Sequence, residues 1–150
     1  MRATLMIALA LALALLLAAC SAVSTDPQQW LTPTEAIHAI NASPDKAARG
    51  HFSFVVQGMG ERGDWTFLNS EADYRHPDCL TIRLRTAMVP ALEQRLGVSL
   101  SALQGRRIAV MGQARRVRIY LTDGEGQRST RYYHQYQLLA ENTTQITLVE

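Results

Sequence analysis

Two stretches of alternating sequence place arginine side chains where they could bind an anion. Arg83 and Arg85 alternate with leucine and isoleucine, so they point away from the apolar face of a predicted strand. In a second predicted strand, Arg116, Arg118 and Tyr120 share the side opposite alternating aliphatic residues. Guanidinium groups pair with phosphate or carboxylate, and aromatic rings stack on bases or sugars. If the strands bring these five residues together, they form an anion-binding surface. The alternative is the solvated outer face of a small barrel, with its charges balanced by neighbouring acids.

A third set of candidate residues is aromatic. Tyr132, His134 and Tyr136 occupy every second position of another predicted strand and therefore share one face. They could line a groove for a planar ligand. The preference of tyrosine for strands explains the same pattern equally well, so both interpretations stay open.

The sequence predicts no catalytic centre, no cofactor and no metal site. His76 and Cys79 are separated by two residues but lack the second pair that a closed zinc site needs. As a nucleophile and base they have no third member, and burial is the commoner fate of a free cysteine. The chain carries neither a glycine-rich phosphate loop nor a serine elbow. We therefore do not expect an enzyme.

The elements that position these residues are mostly strands. Periodicity predicts strands over residues 52–57, 65–68, 80–85, 108–121 and 132–139, and a short extended piece over 145–149. Gly58, Gly60 and Gly63 predict a bulge or tight turn after the first strand, and Gly112 a bend in the fourth. Apolar spacing from Val89, ending at Gly97, predicts a helix between the third and fourth strands. This is the element order of an OB fold, although a rolled sheet of another topology would show the same local pattern.

The N-terminus predicts export. After Met1 and Arg2, the apolar run from Leu5 to Leu17 is too short to span a bilayer but suits a secretory signal. The sequence LAAC, which ends at Cys20, resembles the lipobox of bacterial lipoproteins. That resemblance implies a diacylglycerol on the Cys20 thiol and cleavage just before it. Serine rather than aspartate at position 21 then implies the outer membrane, facing the periplasm. The alternatives are an ordinary signal peptide with an incidental cysteine, or a buried apolar helix.

Length and composition limit the organisation to one domain. The chain has 150 residues, 47% hydrophobic and 19% charged, and a formal net charge of +2, so it is globular and not strongly basic. We predict a signal peptide over 1–19, a tether over 20–31, a helical lead-in over 32–49 with a helix start at Thr32, and a β domain over 50–150. With Cys20 lipidated, Cys79 has no partner for an internal disulfide.

Several longer motifs resemble a known module. The segments WTFLN (65–69), DYR (73–75), LTI (80–82), LQGRRIAVMG (103–112), YQLL (136–139) and QITLV (145–149) resemble an OB-fold module. Similar modules are appended to secreted nucleases of the thermonuclease type and occur in nucleic-acid-binding-like envelope proteins, and the resemblance covers roughly residues 50–149. The resemblance implies an OB-like five-stranded barrel with a helix between strands 3 and 4. Because the nuclease catalytic domain is absent from this sequence, hydrolytic activity does not carry over.

These observations together predict a lipid-anchored envelope protein with a non-catalytic binding domain. Its expected partners are membrane lipid, through acylated Cys20, and a polyanion, an oligosaccharide or a protein. The alternative is a structural or assembly subunit of an envelope protein complex, docked through a strand edge or the end of the barrel.

Overall fold

The computed structural model of the chain describes residues 30–149. Over this range the elements are β1 (Trp30–Leu31), α1 (Pro33–Ala42), β2 (Ala47–Val55), β3 (Gly58–Arg62), β4 (Trp65–Asn69), β5 (Leu80–Arg85), α2 (Val89–Leu96), β6 (Arg107–Thr122), β7 (Arg128–Ala140) and β8 (Ile146–Leu148). Short 3₁₀ helices lie at Thr86–Met88, Leu100–Leu103 and Thr143–Gln145. The predicted signal peptide, Cys20 and most of the predicted tether lie outside the described residues.

Helix α1 begins where the sequence predicts a helix. The Thr32 hydroxyl accepts a hydrogen bond from the Glu35 backbone N–H at 3.4 Å, and the Glu35 carboxylate accepts one from the Thr32 backbone N–H at 2.8 Å. This capping box satisfies N–H groups that a helix start otherwise leaves free, and Pro33 needs no such partner. The pKa of the Glu35 carboxyl is lowered by the bond from the Thr32 backbone N–H and by a second bond, which the Thr32 hydroxyl donates to the same carboxylate at 2.8 Å. Ala36 and Ile40 are fully buried, so the helix packs its apolar face on the domain.

The strands form one mixed sheet, and the hydrogen-bonded path through it is open, because its first and last strands are not paired with each other. Its path is β1-β2-β6-β7-β5-β4-β3, with β8 also paired to β6. The β1–β2 and β5–β7 pairs are parallel and the others antiparallel. Strands β2 and β3 lie at distant points of this path but are joined by Val56 and Gln57 alone. There the chain changes partner, because the Val56 N–H donates to Arg106 and the Gln57 N–H donates to Asn69.

The prediction of a mainly β chain is confirmed, but the predicted five-stranded barrel is not what the strand pairing gives. The described residues hold eight strands in a sheet that is not closed by hydrogen bonds. The glycines at 58 and 60 form neither the tight turn nor, in the β3–β4 pairing, the bulge that the sequence predicts. They belong to β3, where Gly58 pairs with Asn69 and Gly60 with Phe67. Pairing with β4 outweighs the weak strand preference of glycine, and the turn itself is confined to Gly63, whose φ is 57°, and Asp64.

The core lies on one side of the sheet and is closed by the helices. Phe52, Leu80, Ile82 and Leu138 from three strands are fully buried, and Leu92 of α2 is 1% exposed. Each such side chain contributes about 1.5–3 kcal/mol through burial. Helix α2 ends at Gly97, in the left-handed conformation, as the sequence predicts. No helix among residues 30–149 is both long enough and apolar enough to cross a membrane.

Candidate binding face

The arginines predicted to form one surface lie on opposite faces of the sheet. On β7, Leu138 pairs with Ala114 of β6, and the next residue, Leu139, pairs with Arg83 of β5. Because neighbouring residues of a strand point to opposite faces, Arg83 lies on the face opposite Ala114 and therefore opposite Arg116. The predicted residues thus divide into Arg83 and Arg85 on one face and Arg116, Arg118 and Tyr120 on the other. We call the face of Arg83 the outer face, since Ala114 and Leu138 belong to the core.

The reason for this separation is a change of apolar parity along β6. Ile108, Val110 and Ala114 occupy even positions and are buried in the core, whereas Val117 and Ile119 occupy odd positions. The predicted bend at Gly112 would have brought the even-numbered and the odd-numbered apolar residues of β6 to the same face. Instead the β2–β6 pairing runs without a register shift from Ala47–Arg115 to Val55–Arg107. Beyond Ala114 the even positions continue past the core, so polar side chains occupy them.

The part of β6 and β7 beyond the core forms a two-stranded arm, residues 116–135. On its core side the side chains bind one another: the Arg118 guanidinium lies 4.4 Å from the Tyr132 ring and that of Arg128 lies 3.4 Å from the Tyr120 ring. Tyr132 also contacts the rings of Tyr120 and His134, with centroids 5.7 and 5.5 Å apart. Arg118 donates a hydrogen bond to the Tyr120 hydroxyl at 3.2 Å. These cations are therefore already engaged with aromatic rings of the arm itself.

The arm shifts the pKa values of its own titratable groups. Hydrogen bonds from Arg118 and, to a smaller extent, from Arg128 lower the pKa of the Tyr120 phenol. The same bond to Tyr120 raises the pKa of Arg118. For His134, burial lowers the imidazole pKa, and the charges of Arg116 and Arg118 lower it further.

Tyr136 does not line a common groove with Tyr132 and His134, as the aromatic interpretation of the sequence would have it. Its hydroxyl accepts a hydrogen bond from the Asn41 side-chain amide at 2.8 Å, at the end of α1. Arg116 donates to the carbonyl oxygen of the same Asn41 side chain at 3.4 Å. Both residues therefore attach the base of the arm to α1.

The outer face carries an aromatic hollow of about 370 Å³ where β3, β4, β5 and the arm meet. Arg83 and Arg85 both contact the Trp65 ring, with their guanidinium carbons 4.2 and 4.0 Å from its centroid. Trp65 is half-buried and Tyr74, on the loop before β5, is exposed. The other apolar lining residues of this aromatic hollow are Met59, Phe67, Ile119 and Tyr133. Flat rings beside guanidinium groups suit a ligand that is both planar and anionic.

A second hollow, of about 480 Å³, adjoins the first and is lined mainly by polar groups. Arg49 of β2, Arg83 of β5 and Arg115 of β6 line it, and Glu141 contributes one carboxylate. We call it the arginine hollow. It shares the lining residues Arg83 and Gln137 with the aromatic hollow, so the two hollows lie side by side on the outer face.

Within residues 30–149, the arginines of the arginine hollow have no carboxylate within salt-bridge distance. Among residues 30–149 the one ion pair joins Arg85 to Asp64, at 3.9 Å between exposed side chains. The Nε atom of Arg83 is buried without a hydrogen-bond partner from the described residues. An unpaired donor on a charged group in a hollow is costly unless a ligand or water satisfies it. On the outer face the guanidinium groups of Arg49, Arg83 and Arg115 therefore have no carboxylate partner among residues 30–149, although Arg83 lies against the Trp65 ring and Arg115 donates to Gln113.

The side chains of His76 and Cys79 do not form a reactive pair. Cys79 is 2% exposed and its sulfur lies 3.7 Å from the Thr81 hydroxyl. The His76 Nδ1 atom accepts a hydrogen bond from the Asp78 backbone N–H at 3.2 Å, which stabilises the turn before β5. Over residues 30–149, no three histidine, cysteine, aspartate or glutamate side chains come close enough to hold a metal ion.

Comparisons with known proteins show little. No protein-family model matches the sequence, and no curated protein matches it at a significant level. Among solved structures, the chain is similar to an aspartyl tRNA synthetase from Entamoeba histolytica, with a TM-score of 0.40 and 9% sequence identity. The match covers 88% of this chain and 23% of the synthetase, so the chain spans under a quarter of that protein's length. Similarity at this level assigns no function.

Proposed function

We propose that this chain is a lipid-anchored envelope protein whose domain binds an extended anionic polymer on the outer face, without catalysis. The observation that carries the proposal is the pair of adjoining hollows, aromatic and arginine, which share Arg83 as a lining residue. Rings of a polymer would stack beside Trp65, and its anionic groups would meet Arg49, Arg83 and Arg115, which have no salt-bridge partner in the described part of the chain.

We further propose that the domain is an OB-type barrel. The strand path supports this reading if β2 and β3 are two halves of one bent strand, because Val56 and Gln57 pass from partners beside β6 to a partner on β4. The barrel would then have five strands, with α2 between the third and fourth. On this plan the aromatic hollow lies where the second and third strands meet the hairpin of the last two, a surface that OB folds use for oligonucleotides and oligosaccharides.

The proposed anchor is Cys20, and the proposed location is the outer membrane, facing the periplasm. Several acyl chains, each methylene contributing about 0.8 kcal/mol on burial, would hold the domain at a membrane. The test is expression of the full chain in a Gram-negative host with labelled palmitate. Cys20→Ser should lose both the label and membrane association, whereas Cys79→Ser should keep both. Equal labelling of the two variants would overturn the proposed anchor.

The binding test compares two single-charge substitutions on opposite faces. The full chain in a neutral detergent is titrated into fluorescent oligothymidine octamer, and separately into a labelled sulfated polysaccharide, at about 0.02 M and about 0.15 M salt. Arg83→Gln should weaken binding about 10- to 100-fold, the loss expected for charge-assisted hydrogen bonds worth about 1.5–3 kcal/mol. Arg118→Gln, which removes the same charge from the arm's other face, should change affinity less than about threefold.

Each result has a definite meaning. Binding that falls steeply with salt and depends on Arg83 supports the outer face. Equal effects of Arg83→Gln and Arg118→Gln would indicate non-specific attraction by net charge and overturn the assignment. Flat titrations of both polymers at low salt would discard polymer binding, and the alternative of an assembly subunit in an envelope complex would take its place.

A further inference from the structure

We propose that the arginine hollow is a distinct site for a phosphate group, separable from stacking in the aromatic hollow. The inference rests on the proposed function in taking the outer face as the binding surface, and it adds the chemistry of one subsite. The phosphate is carried either by the bound polymer or by a free phosphate compound.

The arginines of the hollow come from strands that the sheet holds side by side. On β2, Arg49 pairs with Gln113 of β6, and Arg115 lies two residues further along β6 on the same face. Arg115 in turn pairs with Gln137 of β7, which pairs with Thr81, two residues before Arg83 on the same face of β5. Four neighbouring strands therefore fix the Cα positions of the lining residues, so the site is part of the sheet and does not depend on a loop.

The charge of the hollow favours an anion with more than one negative charge. Three guanidinium groups line it against a single carboxylate, that of Glu141, and none of the three has an acid within 4.0 Å among the described residues. Asp45 lies near enough to Arg115 for the two charges to attract each other, but Asp45 is not part of the lining. Arg49 and Arg115 are exposed, so a ligand can reach them from solvent, whereas the Arg83 Nε atom is buried and has no hydrogen-bond partner among residues 30–149. A monoanion would leave part of this charge uncompensated.

The donor set favours phosphate over carboxylate. The Gln113 carbonyl oxygen accepts a hydrogen bond from Arg115 at 2.9 Å, which leaves the Gln113 amide N–H groups free to donate. Guanidinium forks and an amide arranged around a hollow can engage several oxygens of a tetrahedral phosphate, whereas a carboxylate presents only two. A volume of about 480 Å³ admits a diphosphate with some of its water.

The test is a calorimetric titration of inorganic pyrophosphate into the full chain in neutral detergent. Arg49→Gln/Arg115→Gln should weaken pyrophosphate binding at least 10-fold. The matched control is Arg106→Gln/Arg107→Gln, which removes two exposed charges that line neither hollow and should change affinity less than threefold. Because all four side chains are exposed, both double variants should keep the wild-type circular dichroism spectrum and melting temperature. No pyrophosphate binding, or equal losses in the two double variants, would overturn the proposal.

A second titration distinguishes the source of the phosphate. If the polymer carries it, pyrophosphate should displace a thymidine tetramer, and a 5′-phosphate on the tetramer should tighten binding in the wild type but not in Arg49→Gln/Arg115→Gln. If a free compound carries it, pyrophosphate and tetramer should bind together. Polymer binding without pyrophosphate binding would overturn this site and leave the proposed function intact. Pyrophosphate binding that depends on the arginines, with no polymer binding, would overturn the proposed function and leave this site intact.

Discussion

The close approach of Gly58 to the loop before β5 gives a sharp test of how the aromatic hollow is built. A Cβ placed on Gly58 would lie 2.8 Å from the Glu71 carbonyl oxygen and 3.1 Å from that of Ala72. These are backbone atoms, which cannot rotate away as the end of a side chain can. Gly58 does not have a positive φ, so an alanine there meets no conformational barrier of its own. Only the contact with the loop opposes it.

Gly60, in the same strand, is the matched control. A Cβ at Gly60 would have no atom within 4 Å, and its φ is not positive either. We expect Gly58→Ala to lower the free energy of unfolding by about 1–3 kcal/mol, the usual cost of forcing extra volume into a packed site. We expect Gly60→Ala to change it by less than about 1 kcal/mol, with a tendency to raise it, because alanine restricts the unfolded chain.

The assay is urea unfolding of the full chain in neutral detergent, followed by far-ultraviolet circular dichroism. Gly58→Ala should also weaken oligothymidine binding, because a displaced loop carries Tyr74, which lines the aromatic hollow. Gly60→Ala should leave binding within about twofold of wild type. Equal unfolding free energies for the two variants would refute the packing of this loop on β3 and, with it, the shape of the hollow.

Three further predictions concern other parts of the molecule. His134 should titrate with a pKa below 6.5 by NMR, because burial and the charges of Arg116 and Arg118 disfavour the imidazolium. The unfolded chain then binds the proton more readily than the folded chain, so this group lowers the free energy of unfolding as the pH falls through about 6.5. A midpoint at or above 6.5 would contradict the geometry of the arm. Thr32→Ala should cost about 0.5–2 kcal/mol in unfolding free energy by removing the α1 cap, and no measurable loss would show that the cap is unimportant. Glu141→Gln should tighten pyrophosphate binding by calorimetry, because it removes the one carboxylate of the arginine hollow; weaker binding would mean that this carboxylate orients the arginines rather than opposing the anion.

Local sequence signals predict much of the fold because they report on single elements. Alternation locates β5, a capping box locates α1, and a C-terminal glycine locates the end of α2. The division between β2 and β3 has no such signal. It depends on Val56 and Gln57, which form hydrogen bonds with different residues in distant parts of the chain. The glycines of β3, taken by themselves, predict a turn.

The site is harder to predict than the fold because its residues meet only through strand register. Alternation finds Arg83 and Arg85 but cannot say which residues of β6 share their face. The apolar residues of β6 change parity after Ala114, so Arg116 and Arg118 look equivalent to Arg83 until the β6–β7 pairing is known. For the same reason the sequence does not indicate Arg115, although its strand is predicted. Arg49 is missed because residues 32–49 are expected to form a helical lead-in, whereas β2 begins at Ala47.

The most direct test of binding on the outer face uses the two tryptophans of the chain as reporters. Trp65 lies in the aromatic hollow between guanidinium groups, whereas Trp30 lies on β1 at the sheet's opposite end, with its ring against His51. In ¹⁵N-labelled protein each gives one indole N–H signal, assigned by Trp30→Phe and Trp65→Phe. On titration with a thymidine tetramer at low salt, the Trp65 signal should shift with saturation and the Trp30 signal should stay in place. A shift confined to Trp30, or no shift of either signal, would contradict binding on the outer face.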